Sequence, residues 1–219
     1  MKPILFSTEM VRAILSGNKT QTRRTKGLEI INATPNRWYY KPYGGMVIPP
    51  HIYYKHQFYD EMGHGYFDPG IICPYGKEGD LLWVRESFSV IGSNIKRDEG
   101  SGILLEQTPN ICFRGEKQPH IERILKWKPS IHMPFEYCRL FLKITKVRAQ
   151  RLQNISELDA QKEGAEMYTN MHSSLEIFNT REPNYRTGFA KIWFDINGEE
   201  SWNFNPWVWV IEFKVTEKP

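Results

Sequence analysis

The stretch Gly17-Asn18-Lys19-Thr20-Gln21-Thr22-Arg23-Arg24 is where the chain passes from a helical to an extended period. Upstream, Val11, Ile14 and Leu15 recur at helical spacing, Thr8 stands where an N-cap belongs, and Gly17 is placed to stop the helix. Downstream, an extended backbone sets Thr20, Thr22 and Arg24 on one face and turns Gln21 and Arg23 to the other. Lys19, at the turn, can fold over the first face. A Lys with a Thr hydroxyl three residues on makes a base and nucleophile pair if the amine is neutral. That requires desolvation or a neighbouring cation, which Arg24 can supply. Arg24 also offers a fork of donors to a phosphate or carbonyl oxygen. The same residues suit a purely structural role, Lys19 meeting the helix dipole and the threonines favouring a strand.

Working outward, residues 25–79 are rich in Pro, Gly and aromatic residues and show no periodicity, which predicts an ordered insertion or lid. Its Tyr39, Tyr40, Tyr53 and Tyr54 either stack on bases or pack the insertion. Gly79-Asp80 turns into a strand over residues 81–86, where Arg85 and Glu86 face opposite ways; one could enter a site, or the two could form a surface ion pair. Residues 111–114 read as a shorter strand, with Arg114 reaching phosphate or solvent, and residues 93–102 read as a polar loop. Residues 138–151 alternate as a long half-exposed strand with a bulge near Thr145. Ser156 opens a short helix with a capping pattern that Gly164 closes, which leaves Glu163 in its last turn. A helix over residues 188–196 would bury Phe189, Ile192 and Trp193. Residues 207–215 form the last strand, apolar on both faces in its first half and so central. A helix, several non-local strands and late short helices predict an α+β, mainly β, single domain over residues 1–219. Its strands would curl into a small β-barrel flanked by short helices.

The formal charge of +4 is unevenly spread: residues 1–60 carry nine Lys and Arg against three Asp and Glu, whereas residues 161–219 carry six against nine. An anionic partner would meet the N-terminal third, although +4 is modest for a protein that coats nucleic acid. No apolar run approaches bilayer length, and Met1 to Ser7 is too short and too weakly charged for a secretory signal, so a cytoplasmic protein without a membrane partner is expected. Cys73, Cys112 and Cys138 are odd in number and widely separated, which predicts reduced thiols. Neither they nor the six His show metal-site spacing, so no metal and no cofactor is expected.

The pattern G-x-K-T-x-T-x-R at Gly17–Arg24 resembles the signature of the ASCH family, a branch of the PUA-like barrels linked with RNA. Ala160-Gln161-Lys162-Glu163 is similar to the family's short acidic helix, and Ile211-Glu212-Phe213 to the centre of its closing strand. Cys73-Pro74-Tyr75-Gly76, the run from Gly79 to Glu86, Lys128-Pro129-Ser130-Ile131-His132-Met133-Pro134 and Asn205-Pro206-Trp207-Val208 resemble the version common in bacteriophages and prophages. The resemblance implies a PUA-like barrel with a Lys-Thr-Arg-Glu pocket that binds nucleic acid or a modified nucleobase of the cytidine type. A nucleoside or single-stranded RNA would be the partner, ahead of DNA. It also implies an alternative, an amidohydrolase cleaving N4-acylated cytidine, with Thr22 as nucleophile, Lys19 as base, Glu163 as acid and Arg24 on the oxyanion. Thr20, Arg85, Glu86 and Arg114 would add substrate contacts. A phage morphogenesis accessory, with the pocket a relic, is the third reading. The chain is roughly twice the family's minimal length.

Overall fold

In a computed structural model the described residues are 1–41, 57–59, 72–97, 104–116, 125–170, 176–178, 180–198 and 200–219. Most of the expected insertion, with Tyr53 and Tyr54, lies outside them. The elements run β1 (Lys2–Leu5), α1 (Thr8–Leu15), β2 (Gln21–Arg24), α2 (Glu29–Ala33), β3 (Tyr39–Lys41), β4 (Gln57–Tyr59), β5 (Leu81–Arg85), β6 (Phe88–Arg97) and β7 (Leu104–Phe113). There follow β8 (Phe141–Arg151), α3 (Glu157–Lys162), α4 (Tyr185–Asn197), α5 (Glu200–Asn203) and β9 (Trp207–Thr216).

Five strands make one mixed sheet in the order β1-β5-β8-β9-β2, with β1 parallel to β5 and the other neighbours antiparallel. No backbone ladder joins β1 to β2, so the sheet is open and the expected closed barrel is not formed. Helix and strand are present in about equal measure, so the chain is mixed α/β rather than mainly β. The bulge expected near Thr145 is present, as a register shift between Ile144 and Lys146 where β8 pairs with β9.

Strand β9 shows why this sheet holds. Trp207, Trp209, Ile211 and Phe213 enter one core with Val11 and Ile14 of α1 and Leu28 and Ile31 around α2. Val208 and Val210 enter a second core with Ala160 of α3, Phe189 and Trp193 of α4 and Trp202 of α5. Helices therefore cover both faces, and a strand apolar on both sides is the one that can sit there. Each such side chain removed from water contributes about 1.5–3 kcal/mol. A third cluster, Phe88, Phe113, Met133, Cys138 and Phe141, packs where the β6–β7 hairpin leaves the sheet.

Several local readings need correction. Ser7, not Thr8, caps α1, accepting from the Met10 N–H at 3.3 Å, because Thr8 already has helical geometry. Residues 93–97 are not loop: β6 and β7 form a two-stranded ribbon whose polar sequence carries no apolar alternation. Within residues 25–79 the chain forms α2, a 3-10 turn at Pro35–Arg37 and the β3–β4 pair, whose Tyr39 and Tyr40 lie opposite Tyr59 and Phe58. Helix α4 begins at Tyr185, three residues before Gly188, with Asn184 as its cap. Among the described residues no helix is long and apolar enough to cross a membrane.

Candidate functional site

The segment after α1 is drawn inward by backbone bonds on both sides. The Thr20 N–H donates to the Lys162 carbonyl at 2.9 Å, Lys19 bridges Glu163, and the Thr20 carbonyl accepts from Phe213 in β9. Gly17 (φ 78°) makes the turn. Gly164 (φ 79°) allows the approach: a methyl there would lie 3.1 Å from the Ala13 Cβ and 3.2 Å from the Lys19 Cβ. Helix α3, capped by Ser156 on the Asp159 N–H at 3.1 Å, ends on Glu163 as its own C-cap residue.

Two distant pieces of chain thus meet as a buried ionic network. Lys19 Nζ donates to Glu163 Oε2 at 2.8 Å and to the Glu163 carbonyl at 2.7 Å, with Lys19 only 2% exposed and Glu163 6%. Arg23 Nη1 donates to Glu163 Oε1 at 2.8 Å, and Arg23 Nη2 reaches Asp159 Oδ2 at 3.3 Å. Arg148 holds Asp159 from the other side at 2.8 Å and also pairs with Glu212. Burial pushes the Lys19 ammonium below its ordinary value; Glu163 opposes this, and the Arg24 and Arg23 charges reinforce it. Burial also lowers the Arg24 guanidinium from its ordinary value, with the Tyr75 hydroxyl and Glu163 opposing.

A cavity of about 80 Å³ opens beside this network. Lys19, Thr22, Arg23, Arg24 and Glu163 line it on one side; Met10 of α1 and Phe189, Ile192, Trp193 and Asn197 of α4 line it on the other. Thr22 is 1% exposed, yet its hydroxyl makes no hydrogen bond to any described residue. Two buried donors on the same lining, Arg23 Nε and Trp193 Nε1, also lack partners.

The expected Lys19, Thr22, Arg24 and Glu163 therefore share one cavity. Thr20 does not: it faces a broad groove of about 1400 Å³ on the far side of the α1–α3 junction. That groove balances Arg12, Lys162 and Lys191 against Glu9, Glu166 and Asp195, and none of its charged side chains is buried. Arg85 and Glu86 also lie elsewhere. Arg85 donates to the Met133 carbonyl at 3.1 Å and to the Ile131 carbonyl. Glu86, 1% exposed, is gripped at 2.9 and 3.0 Å by the partly exposed Arg139, so it is a buried carboxylate held from the surface and not a cavity group. Arg114 stacks on Trp127, with 5.9 Å between its guanidinium and the ring centroid, and is not on the cavity wall.

Alternation along β2 turned Arg23 away from the site, but the structure brings it in, because both faces of this strand are covered and its long side chain reaches Glu163. Helical spacing predicts Trp193 as core, and nothing in that spacing signals an indole N–H left without an acceptor. Among the described residues no group of His, Cys, Asp and Glu could hold a metal ion, and His132 is the one described histidine. The three cysteines are buried and in no disulfide among the described residues, and burial raises each thiol above its ordinary value. No protein-family model, curated protein or solved structure matches the chain.

Proposed function

We propose that this chain is an ASCH-type, PUA-like protein that takes a modified nucleobase of the cytidine type into the Lys19–Thr22–Arg24–Glu163 cavity. The observation that carries this reading is the convergence of all four motif residues, 140 or more positions apart at the extremes, on one small space. The open sheet is compatible with a curled PUA-like arrangement: Arg24 of β2 donates to the Leu5 carbonyl at the end of β1 at 2.8 Å, so the two outer strands approach each other there. The cavity is far below the 300 Å³ or more of a drug-sized site, and matches about three waters. It would take the substituted edge of a base and leave the sugar outside. The balanced charges of the broad groove favour a nucleoside, or one nucleotide of a single strand, over a long nucleic-acid track.

A second reading, hydrolysis of an N4-acyl amide, is favoured by the unbonded Thr22 hydroxyl beside an amine of lowered proton affinity. Thr22 Oγ1 would bond to the acyl carbon while neutral Lys19 takes its proton. The 2.8 Å contact from Lys19 to Glu163 offers that proton a path to the departing cytosine amine as the C–N bond breaks. Arg24 would hold the oxyanion, and water would then release the carboxylic acid from Thr22.

The test is a thermal-shift screen of nucleosides and short oligonucleotides, followed by turnover of N4-acetylcytidine. Binding of cytidine-class ligands with acid release by the wild type, and none by a folded Thr22→Ala, supports both readings. Binding without turnover on several N4-acyl cytidines leaves the binding reading alone. Failure of every nucleoside to bind overturns both.

A further inference from the structure

The charges around the cavity do not balance. The ion-paired network sets three cations, Lys19, Arg23 and Arg148, against three carboxylates, Glu163, Asp159 and Glu212, and Arg24 lines the same cavity outside those pairs. Arg24 is the cation left over. Its donors go to the main-chain carbonyls of Arg23 at 3.3 Å and Leu5 at 2.8 Å and to the Tyr75 hydroxyl, and no carboxylate lies within ion-pair reach of it among the described residues. Arg24 is half-buried, and a guanidinium with no carboxylate on it can take an anion at the cavity without giving up an ion pair.

Two further observations point the same way. Arg23, 3% exposed, and Trp193, 7% exposed, each carry an N–H with no acceptor, and both side chains line this cavity. Buried donors are nearly always satisfied, so two on one small cavity mark the place of an absent acceptor. Met10, Phe189, Ile192 and Ile196 add an apolar patch to the lining, beside Asn197.

We infer that this cavity is a binding site for a short-chain monocarboxylate. The carboxylate lies on the Arg24 guanidinium, the Arg23 Nε–H and the Trp193 indole N–H, and the alkyl end rests on the apolar patch. The apolar patch favours acetate to butyrate over inorganic phosphate, which has no alkyl end to bury, and the volume excludes long acyl chains. Binding stands on charge and donors alone. The role of the site, holding the acid that amide hydrolysis would release, rests on the hydrolytic reading, in which it makes that acid a competitive inhibitor.

Binding is measured by calorimetry and thermal shift at fixed ionic strength, with acetate, butyrate, acetamide and inorganic phosphate as probes. Acetate and butyrate are expected to raise the melting temperature by about 3–5 °C at ten times their Kd. Acetamide, equal in shape but uncharged, and phosphate should bind at least tenfold more weakly. Trp193→Phe, which keeps a ring and removes one donor, should weaken acetate about tenfold, and Arg24→Gln should weaken it more. The exposed Lys214→Gln is the control and should leave acetate binding unchanged. Acetate binding no tighter than acetamide, or unchanged in both Trp193→Phe and Arg24→Gln, overturns the proposal, as does no binding of any carboxylate. A wild type that binds acetate but turns over no N4-acyl cytidine keeps the anion site and removes the hydrolytic reading. One that turns over substrate and ignores acetate does the reverse.

Discussion

Two carboxylates in this molecule are buried to nearly the same degree, and their surroundings differ in kind. Glu86 receives two parallel bonds from one guanidinium, that of Arg139, which lies over the Phe113 ring at 4.0 Å and pairs outward with Glu116. Neither Glu86 nor Arg139 lines the small cavity or the broad groove. Glu163 is shared between Lys19 and Arg23, and among the described residues the groups around it are left incomplete: the Thr22 hydroxyl has no bond, two N–H groups have no acceptor and the Arg24 guanidinium has no carboxylate. Burial of charge is common to both, so burial does not mark function. Incomplete bonding next to empty space does, because a fold has no structural reason to maintain it.

The largest effect that can break this comparison is loss of either carboxylate. Glu163→Ala strands two buried cations and is expected to cost about 3–5 kcal/mol in urea denaturation. Glu86→Ala leaves Arg139 partly exposed and still bonded to Glu116, and is expected to cost about 1–3 kcal/mol. Equal losses would remove the distinction. Next comes α4, which carries Phe189, Ile192 and Trp193 of the cavity wall while its Gly188 lines the broad groove. At Gly188 of α4 an added methyl would overlap the Glu166 carbonyl, so Gly188→Ala must displace the segment after Glu163, at about 1–3 kcal/mol, with loss of ligand binding. Loss of stability with binding intact would show that this wall does not shape the cavity.

Proton linkage separates the two regions further. The Lys19 value in the folded state lies below its ordinary 10.5, so between these limits the unfolded chain holds the extra proton. Stability conferred on Lys19 therefore rises with pH through that window, with a slope of at most about 1.4 kcal/mol per pH unit, and is flat below it. Wild type minus Lys19→Met, in parallel denaturation series, isolates the slope; a difference that falls with rising pH would contradict the desolvation assignment. A smaller effect is expected at the unbonded hydroxyl. Thr22→Val should keep stability within about 1 kcal/mol, since no hydrogen bond is lost, while acid release from N4-acetylcytidine stops. The smallest is Lys191→Ala, which breaks an exposed pair with Asp195 one turn away and should cost about 0.3–0.5 kcal/mol without touching binding.

How much of this was legible in the sequence follows from the range of each signal. Lys19, Thr22, Arg24 and Glu163 could be singled out because the turn at Gly17 and the capped helix ending at Gly164 are local patterns, and the family resemblance joined them. Strand β9 was readable because burial on two faces writes an unbroken apolar run. Arg23 was misplaced because alternation describes where a Cβ points, not where a guanidinium four bonds further on ends. The β6–β7 ribbon was missed because a polar hairpin shows no amphipathic period. Barrel closure was over-read: it depends on whether β1 and β2 share a ladder, and strand order over a separation of 16 residues or more is not written in either segment.

The central claim, that the cavity of Lys19, Thr22, Arg24 and Glu163, with Trp193 on its wall, receives a nucleobase, is tested most directly by the indole N–H signals of ¹⁵N-labelled protein during titration with N4-acetylcytidine. The chain has seven tryptophans. The Trp193 signal, assigned by its loss in Trp193→Phe, is expected to move saturably while that of Trp202, buried in the same core, stays in place. A Trp193 signal that does not respond at saturating nucleoside, or a uniform shift of all seven, would contradict the account.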